Sequence, residues 1–192
     1  MRKNGRTAHK LKKLAWRFTQ PEWADNHGVM LPVKHPLVSP GIAREIYLGD
    51  YEAKEIEIIS RRLATDDVVF EVGAGLGYLS AYCAKRTGSD KVFTYEANPE
   101  LIPLIRETHA RNAVTPTLTN ALLAQGEGER EFRIEADFWA SSAHRDGGRA
   151  ITVKQVDLNS ELARIRPSFM IVDIEGGEAE FFAGAELSMG HK

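Results

Sequence analysis

Residues 67–78 read Asp67-Val68-Val69-Phe70-Glu71-Val72-Gly73-Ala74-Gly75-Leu76-Gly77-Tyr78, and this stretch decides the fold. Val68-Val69-Phe70 is a short apolar run of strand type. Three glycines then interrupt it, and helical spacing resumes from Tyr78 to about Arg86. Strand, glycine turn and helix in that order aim the free N–H groups of a helix N-terminus at a ligand. Glycines let the turn tighten and let the ligand approach the backbone. The spacing Gly73-x-Gly75-x-Gly77 is not the G-x-G-x-x-G of dinucleotide binders, whose third glycine comes one residue later, so nicotinamide chemistry is disfavoured.

Downstream, Lys91 to Tyr95 reads as a second strand that ends in Glu96, nineteen residues after Gly77. A carboxylate there suits the two hydroxyls of an adenosine ribose. Asn98-Pro99 looks like an N-cap followed by proline at the first helical position, opening a helix that runs to about Asn112. Pro103 predicts an irregular first turn. Pro116 to Leu123 supplies a third strand, and Glu131–Ile134 with Ala150–Val156 reads as an inserted hairpin. Phe169-Met170-Ile171-Val172 is a buried-strand signature ending in Asp173, and helical spacing returns from Gly177 to Leu187. This alternation predicts an α/β chain with a Rossmann-like, doubly wound, mostly parallel sheet. Ligands of such sheets lie beyond the carboxyl ends of the strands where strand order reverses, which puts Asp173 beside the glycine loop.

Upstream, Pro21 to Gly41 holds four prolines and two glycines, read as loops with a short hairpin around Val29 to Val33. Tyr51 to Leu63 places Ile56, Ile59 and Leu63 on one helical face. Residues 1–20 carry seven Lys or Arg and no acid, with Leu11, Leu14, Ala15 and Phe18 at helical spacing. That segment reads either as a basic amphipathic helix touching an anionic surface or, more simply, as a solvated leader.

With 192 residues and 43% apolar content the chain can build one real core. No apolar run approaches the roughly 18 residues of a membrane span, and no signal-peptide stretch is seen, so a cytoplasmic protein is expected. Outside the first twenty residues, eighteen basic face twenty-seven acidic residues, a net of −9 that disfavours nucleic acid as a partner. The lone Cys83 reads as a small core residue. Six scattered histidines lack the spacing of a zinc site, and no metal is expected.

Taken together, Gly49-Asp50-Tyr51-Glu52, Glu71-Val-Gly-Ala-Gly-Leu-Gly77, Tyr95-Glu96-Ala97-Asn98-Pro99, Asn112, Trp139-Ala140-Ser141-Ser142 and Val172-Asp173-Ile174-Glu175-Gly176 resemble the FkbM family of class I S-adenosylmethionine-dependent methyltransferases. The resemblance covers about residues 47 to 187. Glu96-Ala97-Asn98-Pro99 departs from the family's frequent Glu-Pro-Asn-Pro at a position that leaves the ribose carboxylate in place. On this resemblance residues 1–46 form a basic, Pro/Gly-rich lead-in and 47–192 a methyltransferase-like domain. The resemblance implies S-adenosyl-L-methionine as donor and O-methylation of a small-molecule or sugar-like acceptor. It also implies a seven-stranded sheet, of which about three strands would follow Lys192, so that the last C-terminal strands are expected to be lacking and the fourth-strand edge to be covered or paired, for example in a homodimer.

The cofactor set expected is Glu71, Gly73, Ala74, Gly75, Gly77, Tyr78, Glu96, Ala97 and Asp173. Methyl transfer is an in-line displacement in which positioning does most of the work, and a base serves only where the acceptor must lose a proton. Asp173 is the first candidate for that base, with Glu175 sharing its strand parity and helping to bind acceptor or an optional cation; the bland alternative is that Asp173 or Glu175 only caps the helix beginning near Gly177. Glu52 at a helix start, Ser141, Ser142 and His144 on a polar insertion, and Trp139 as an adenine platform each have an equally ordinary structural reading. His109, beside Arg106 and Arg111, is expected on the surface. Two other functions compete. One is a non-catalytic cofactor-binding or scaffold protein. The other is a nucleic-acid methyltransferase, disfavoured because Asp173-Ile-Glu-Gly replaces the proline-rich motif of adenine-N6 enzymes.

Overall fold

The computed structural model describes residues 11–16, 18–134, 148–174 and 178–185, which fall into two units, Met1–Arg62 and Leu63–Lys192. In the first unit, β1 (Trp23–Asn26) and β2 (Val29–Pro32) form an antiparallel hairpin. Its turn residues, His27 and Gly28, both take positive φ (51° and 86°), as a two-residue turn matched to strand twist requires. The hairpin thus begins six residues before the stretch assigned to it from sequence.

The region after it is not all loop. Helix α1 (Pro40–Leu48) starts on the proline and glycine that read as breakers. Ser39 caps it by accepting from the Ile42 N–H, and Pro40 stands where a missing N–H costs nothing. Gly49, at φ 82°, closes it by donating its N–H to Glu45 and Ile46. Helix α2 (Ala53–Arg62) buries Ile56 and Ile59, the face its spacing predicts. Asn26, fully buried, donates its side-chain N–H to the Tyr51 carbonyl at 3.1 Å and ties the hairpin to the α1–α2 connection. Residues 11–16 are helical, with the Trp16 ring packed at a tilt of 42°, its centroid 5.2 Å from that of Tyr47 of α1, and the Thr19 hydroxyl 3.2 Å from the Tyr47 hydroxyl.

The second unit is organised by four parallel strands, β3 (Val69–Val72), β4 (Val92–Glu96), β5 (Thr117–Asn120) and, beyond a second small sheet, β9 (Phe169–Val172), in the order β5-β4-β3-β9. The chain leaves β3 through helix α3 (Tyr78–Thr87) to β4, and through helix α4 (Ile102–Arg111) to β5. It then returns to the other side of β3 as β9, so order reverses between β3 and β9. Strand alternation splits the sheet's faces. Phe70 and Val72 pack with Tyr95, Leu158, Leu162 and Phe181, the latter three from helices α5 (Leu158–Ile165) and α6 (Glu178–Gly184). Glu71 and Thr94 stand on the opposite face, directly paired across the ladder.

The third strand expected from Pro116 to Leu123 is two. Asn120 ends β5, and after Ala121 the chain enters β6 (Leu122–Ala124), which pairs not with β4 but with β8 (Arg149–Asp157); β7 (Gly128–Ile134) lines the other side of β8. The inserted hairpin is therefore present and longer than expected. Helix α5, unassigned from sequence, follows β8 directly. Asp157 caps it, one carboxylate oxygen accepting from Ser160 N (2.8 Å) and the other from Gly126 N (2.7 Å). Over the sheet, the Tyr95 hydroxyl donates to Glu161, which also holds Arg164.

Candidate functional site

The ends of β3, β4 and β9 converge on the glycine loop, and each of its three glycines solves a different problem. All have positive φ: 89° at Gly73, 55° at Gly75 and 73° at Gly77. Gly73 continues the ladder by donating its N–H to the Tyr95 carbonyl at 2.9 Å, while Asp173 N donates to Val72 O at 3.0 Å. A Cβ at Gly73 would fall 1.9 Å from the Asp173 carbonyl oxygen. The backbones of the β3 and β9 ends thus touch, as the strand reversal predicted. A Cβ at Gly77 would meet Ile105 at 2.9 Å and the His109 ring at 3.1 Å, so this glycine lets α4 close onto the start of α3. At Gly75, no described atom lies within 4 Å of that position. On that side Gly75 meets none of the described residues beyond its own chain neighbours.

Glu96 holds the Gly75 segment of the loop. Its Oε2 accepts the Gly75 N–H at 3.2 Å and its Oε1 the Asn98 N–H at 2.8 Å. Burial pushes the carboxyl above its ordinary range, although the N–H groups of Asn98, Gly75, Ala74 and Ala97 all pull the other way. The β4 end is fixed in turn by Asn120, whose side chain donates to the Glu96 carbonyl (2.8 Å) and the Ala97 carbonyl (3.2 Å), and by Ala121 N to Glu96 O (3.0 Å). Ala97 is half-buried against the apolar cluster of Phe132, Ile134 and Val153 on the β7–β8 hairpin, and Arg149 of β8 pairs with Glu100 in the turn that follows.

That turn replaces the expected helix start. Asn98 does not cap a helix at Pro99; its Oδ1 accepts from Glu100 N (3.0 Å), the N–H groups of Leu101 and Ile102 reach back to Asn98 and Pro99, and α4 begins at Ile102. Pro103 near the new start explains the shift, because it has no N–H to give to a preceding turn. Asn112 closes α4 as expected.

The remaining residues divide by exposure. Asp173 is exposed at the β9 end, next to Gly73. Glu71 and Tyr78 are each 1% exposed: the Glu71 carboxylate accepts from the Thr94 hydroxyl inside the α3 face, and Tyr78 is enclosed at the first position of α3. Ala74 is buried within the loop. Cys83 is buried beneath the same face, its thiol pushed up by burial and by the charge of Glu71. Glu175, Trp139, Ser141, Ser142 and His144 lie outside the described residues. Among the described residues, no group of His, Cys, Asp and Glu is arranged to hold a metal ion, and no helix is long and apolar enough to cross a membrane.

His109 is not on the surface. It is 5% exposed and its Nε2 lies 3.0 Å from the Ser80 hydroxyl, bolting α4 to α3 directly beneath Gly77. The signal was available: His109 follows Ile105 by four residues, on one helical face. Burial lowers its pKa from 6.5 to about 4. Since the unfolded chain binds this proton first as pH falls, the neutral ring's contribution is complete above pH 6.5 and is lost as pH drops toward 4, up to about 3 kcal/mol. Denaturant melts at pH 7 and pH 4.5 are expected to show a smaller acid loss for His109→Gln than for the natural chain. Equal losses would show that another group carries the acid sensitivity.

Residues 71–190 match the family model of the methyltransferase FkbM domain. No match was found among curated proteins or among solved structures.

Proposed function

Because the chain belongs to the FkbM methyltransferase family, we propose that it transfers the methyl group of S-adenosyl-L-methionine to an oxygen of a small-molecule or sugar-like acceptor at the β3–β9 switch point. The observation that carries this reading is the pairing of Glu96 with the Gly75 N–H, at a glycine whose Cβ position meets none of the described residues beyond its chain neighbours. The residues fit an adenosyl group. Each oxygen of the Glu96 carboxylate accepts one backbone N–H, and a carboxylate oxygen has a second lone pair with which to accept a ribose hydroxyl. The open backbone at Gly75 admits a ligand where a side chain would stand.

In this reading Glu96 holds the ribose and Ala97 offers an apolar surface beside it. The loop from Gly73 to Gly77 and the first N–H groups of α3, at Tyr78, Leu79 and Ser80, face the amino-acid end. Glu71 and Tyr78 act from behind, setting the path of the loop rather than reaching the ligand with their side chains. The cofactor supplies an electrophilic methyl on a sulfonium. Asp173 orients the acceptor hydroxyl and takes its proton as the oxygen attacks in line, while Glu175 contributes to acceptor binding.

Isothermal titration with S-adenosylhomocysteine is expected to reveal one site per chain, and the absence of heat would overturn the cofactor assignment. Methyl release across a panel of hydroxyl-bearing and sugar acceptors tests the rest. Asp173→Asn is expected to lower turnover on the order of a hundredfold while leaving S-adenosylhomocysteine affinity within about threefold. An unchanged turnover would remove Asp173 from the proton path.

A further inference from the structure

We propose that the basic segment at residues 11–19, helical over the described residues 11–16 and 18–19, is a membrane-surface anchor that seats its apolar stripe in an anionic lipid bilayer. Leu11, Leu14 and Phe18 recur at intervals of three and four residues, and so share one helical face. On a helix that folds into its own protein, such a stripe is the buried side. Here the reverse holds: Leu11 is 63% exposed, Leu14 58% and Phe18 83%.

The helix is nevertheless held, and by a different side. Trp16 packs its ring at a tilt against Tyr47 of α1, and Thr19, three residues on, places its hydroxyl 3.2 Å from the Tyr47 hydroxyl and bonds back to the Ala15 carbonyl. At about 100° per residue, the Trp16–Thr19 side lies roughly a third of a turn from the Leu11–Leu14–Phe18 stripe. The contact that docks the helix therefore turns its stripe outward. Lys12 and Lys13 are exposed as well, each roughly a third of a turn from the stripe and on opposite sides of it, within a twenty-residue segment that has seven basic residues and no acidic one.

A bilayer surface is the occupant that takes both features at once, since acyl chains accept Leu and Phe while anionic headgroups accept the cations. A nucleic acid would pair with the lysines and leave the stripe in water. The rest of the chain, at −9, is repelled by an anionic membrane, which confines attachment to this segment. The anchor is independent of the methyl-transfer reading, because none of its residues belongs to the glycine-loop site.

Co-sedimentation of the full chain with vesicles decides it. The natural chain is expected to bind vesicles of equal parts phosphatidylcholine and phosphatidylglycerol, and binding is expected to be at least about tenfold weaker to phosphatidylcholine alone or in the Lys12→Glu/Lys13→Glu variant. Leu14→Glu/Phe18→Glu is expected to lose binding by a similar factor with an unchanged melting temperature, since both side chains are already exposed. The proposal fails if the full chain stays in solution with the anionic vesicles, or if the Leu14/Phe18 variant binds them equally. It fails also if sedimentation velocity shows that the stripe instead joins two copies, or if duplex RNA binds with an affinity that the Leu14/Phe18 variant retains.

Discussion

Gly73→Ala is expected to destabilise the chain by about 3–5 kcal/mol, lowering its melting temperature by roughly 10 °C or leaving it unfolded on expression. Two costs add. Alanine at φ 89° is strained, and its methyl carbon would sit 1.9 Å from the Asp173 carbonyl oxygen, a backbone atom that cannot turn aside. Relief requires β9 to move away from β3, breaking the bond from Asp173 N to Val72 O. Gly75→Ala is the informative partner. It bears strain of about 1–2 kcal/mol but meets no described atom within 4 Å, so it is expected to fold and yet to bind S-adenosylhomocysteine at least about tenfold more weakly. Thermal melts and titration of the two variants separate the glycine that packs from the glycine that faces ligand. A Gly75→Ala chain that binds normally would show that the Cβ side of Gly75 is not where the cofactor lies.

Glu96→Ala is expected to abolish measurable cofactor binding, a loss of more than about a hundredfold, and to cost stability of roughly 2–4 kcal/mol as well. The second effect follows from the structure: Gly75 and Asn98 would lose the acceptor of their N–H groups in a nearly closed site. For that reason loss of binding in the alanine variant does not isolate the ribose contact, and a cycle is needed. S-adenosylhomocysteine and its 2′,3′-dideoxy analogue should be titrated against the natural chain and Glu96→Gln. Where Glu96 accepts the ribose hydroxyls, removing them costs the natural chain about tenfold or more and costs the Gln variant much less. Equal costs in both would mean that Glu96 only holds the loop.

The parts of this fold legible in the sequence were those where chemistry and periodicity agree. Val69 to Gly77 admits one reading because a strand, three positive-φ residues and a helix follow without a gap. Glu96 and Asp173 were placed because each ends an apolar run. What escaped had local signals pulling in two directions. Pro40 and Gly41 break helices in the middle and begin them at the edge, and Ser39 before them and Gly49 after them were the deciding marks. Leu158, Leu162 and Ile165 have helical spacing and an Asp157 cap, but a strand abuts them with no turn between. The double duty of Glu96 was not readable at all, since the partner that matters, the Gly75 N–H, lies twenty-one residues away and belongs to the backbone.

The passage from β5 to β6 has a consequence for how the gene can vary in length. Ala121 is 1% exposed, and the two leucines after it serve different interiors: Leu122 packs with Phe132, Ile134 and Val153, and Leu123 with Phe70, Val72 and Leu158. Because successive residues of a strand point to opposite sides, one codon gained or lost at this spot exchanges the two leucines and mismatches both interiors together. Substitutions here can be graded by size. Insertions and deletions cannot, and the segment from Asn120 to Ala124 should hold a fixed length even where its residues change.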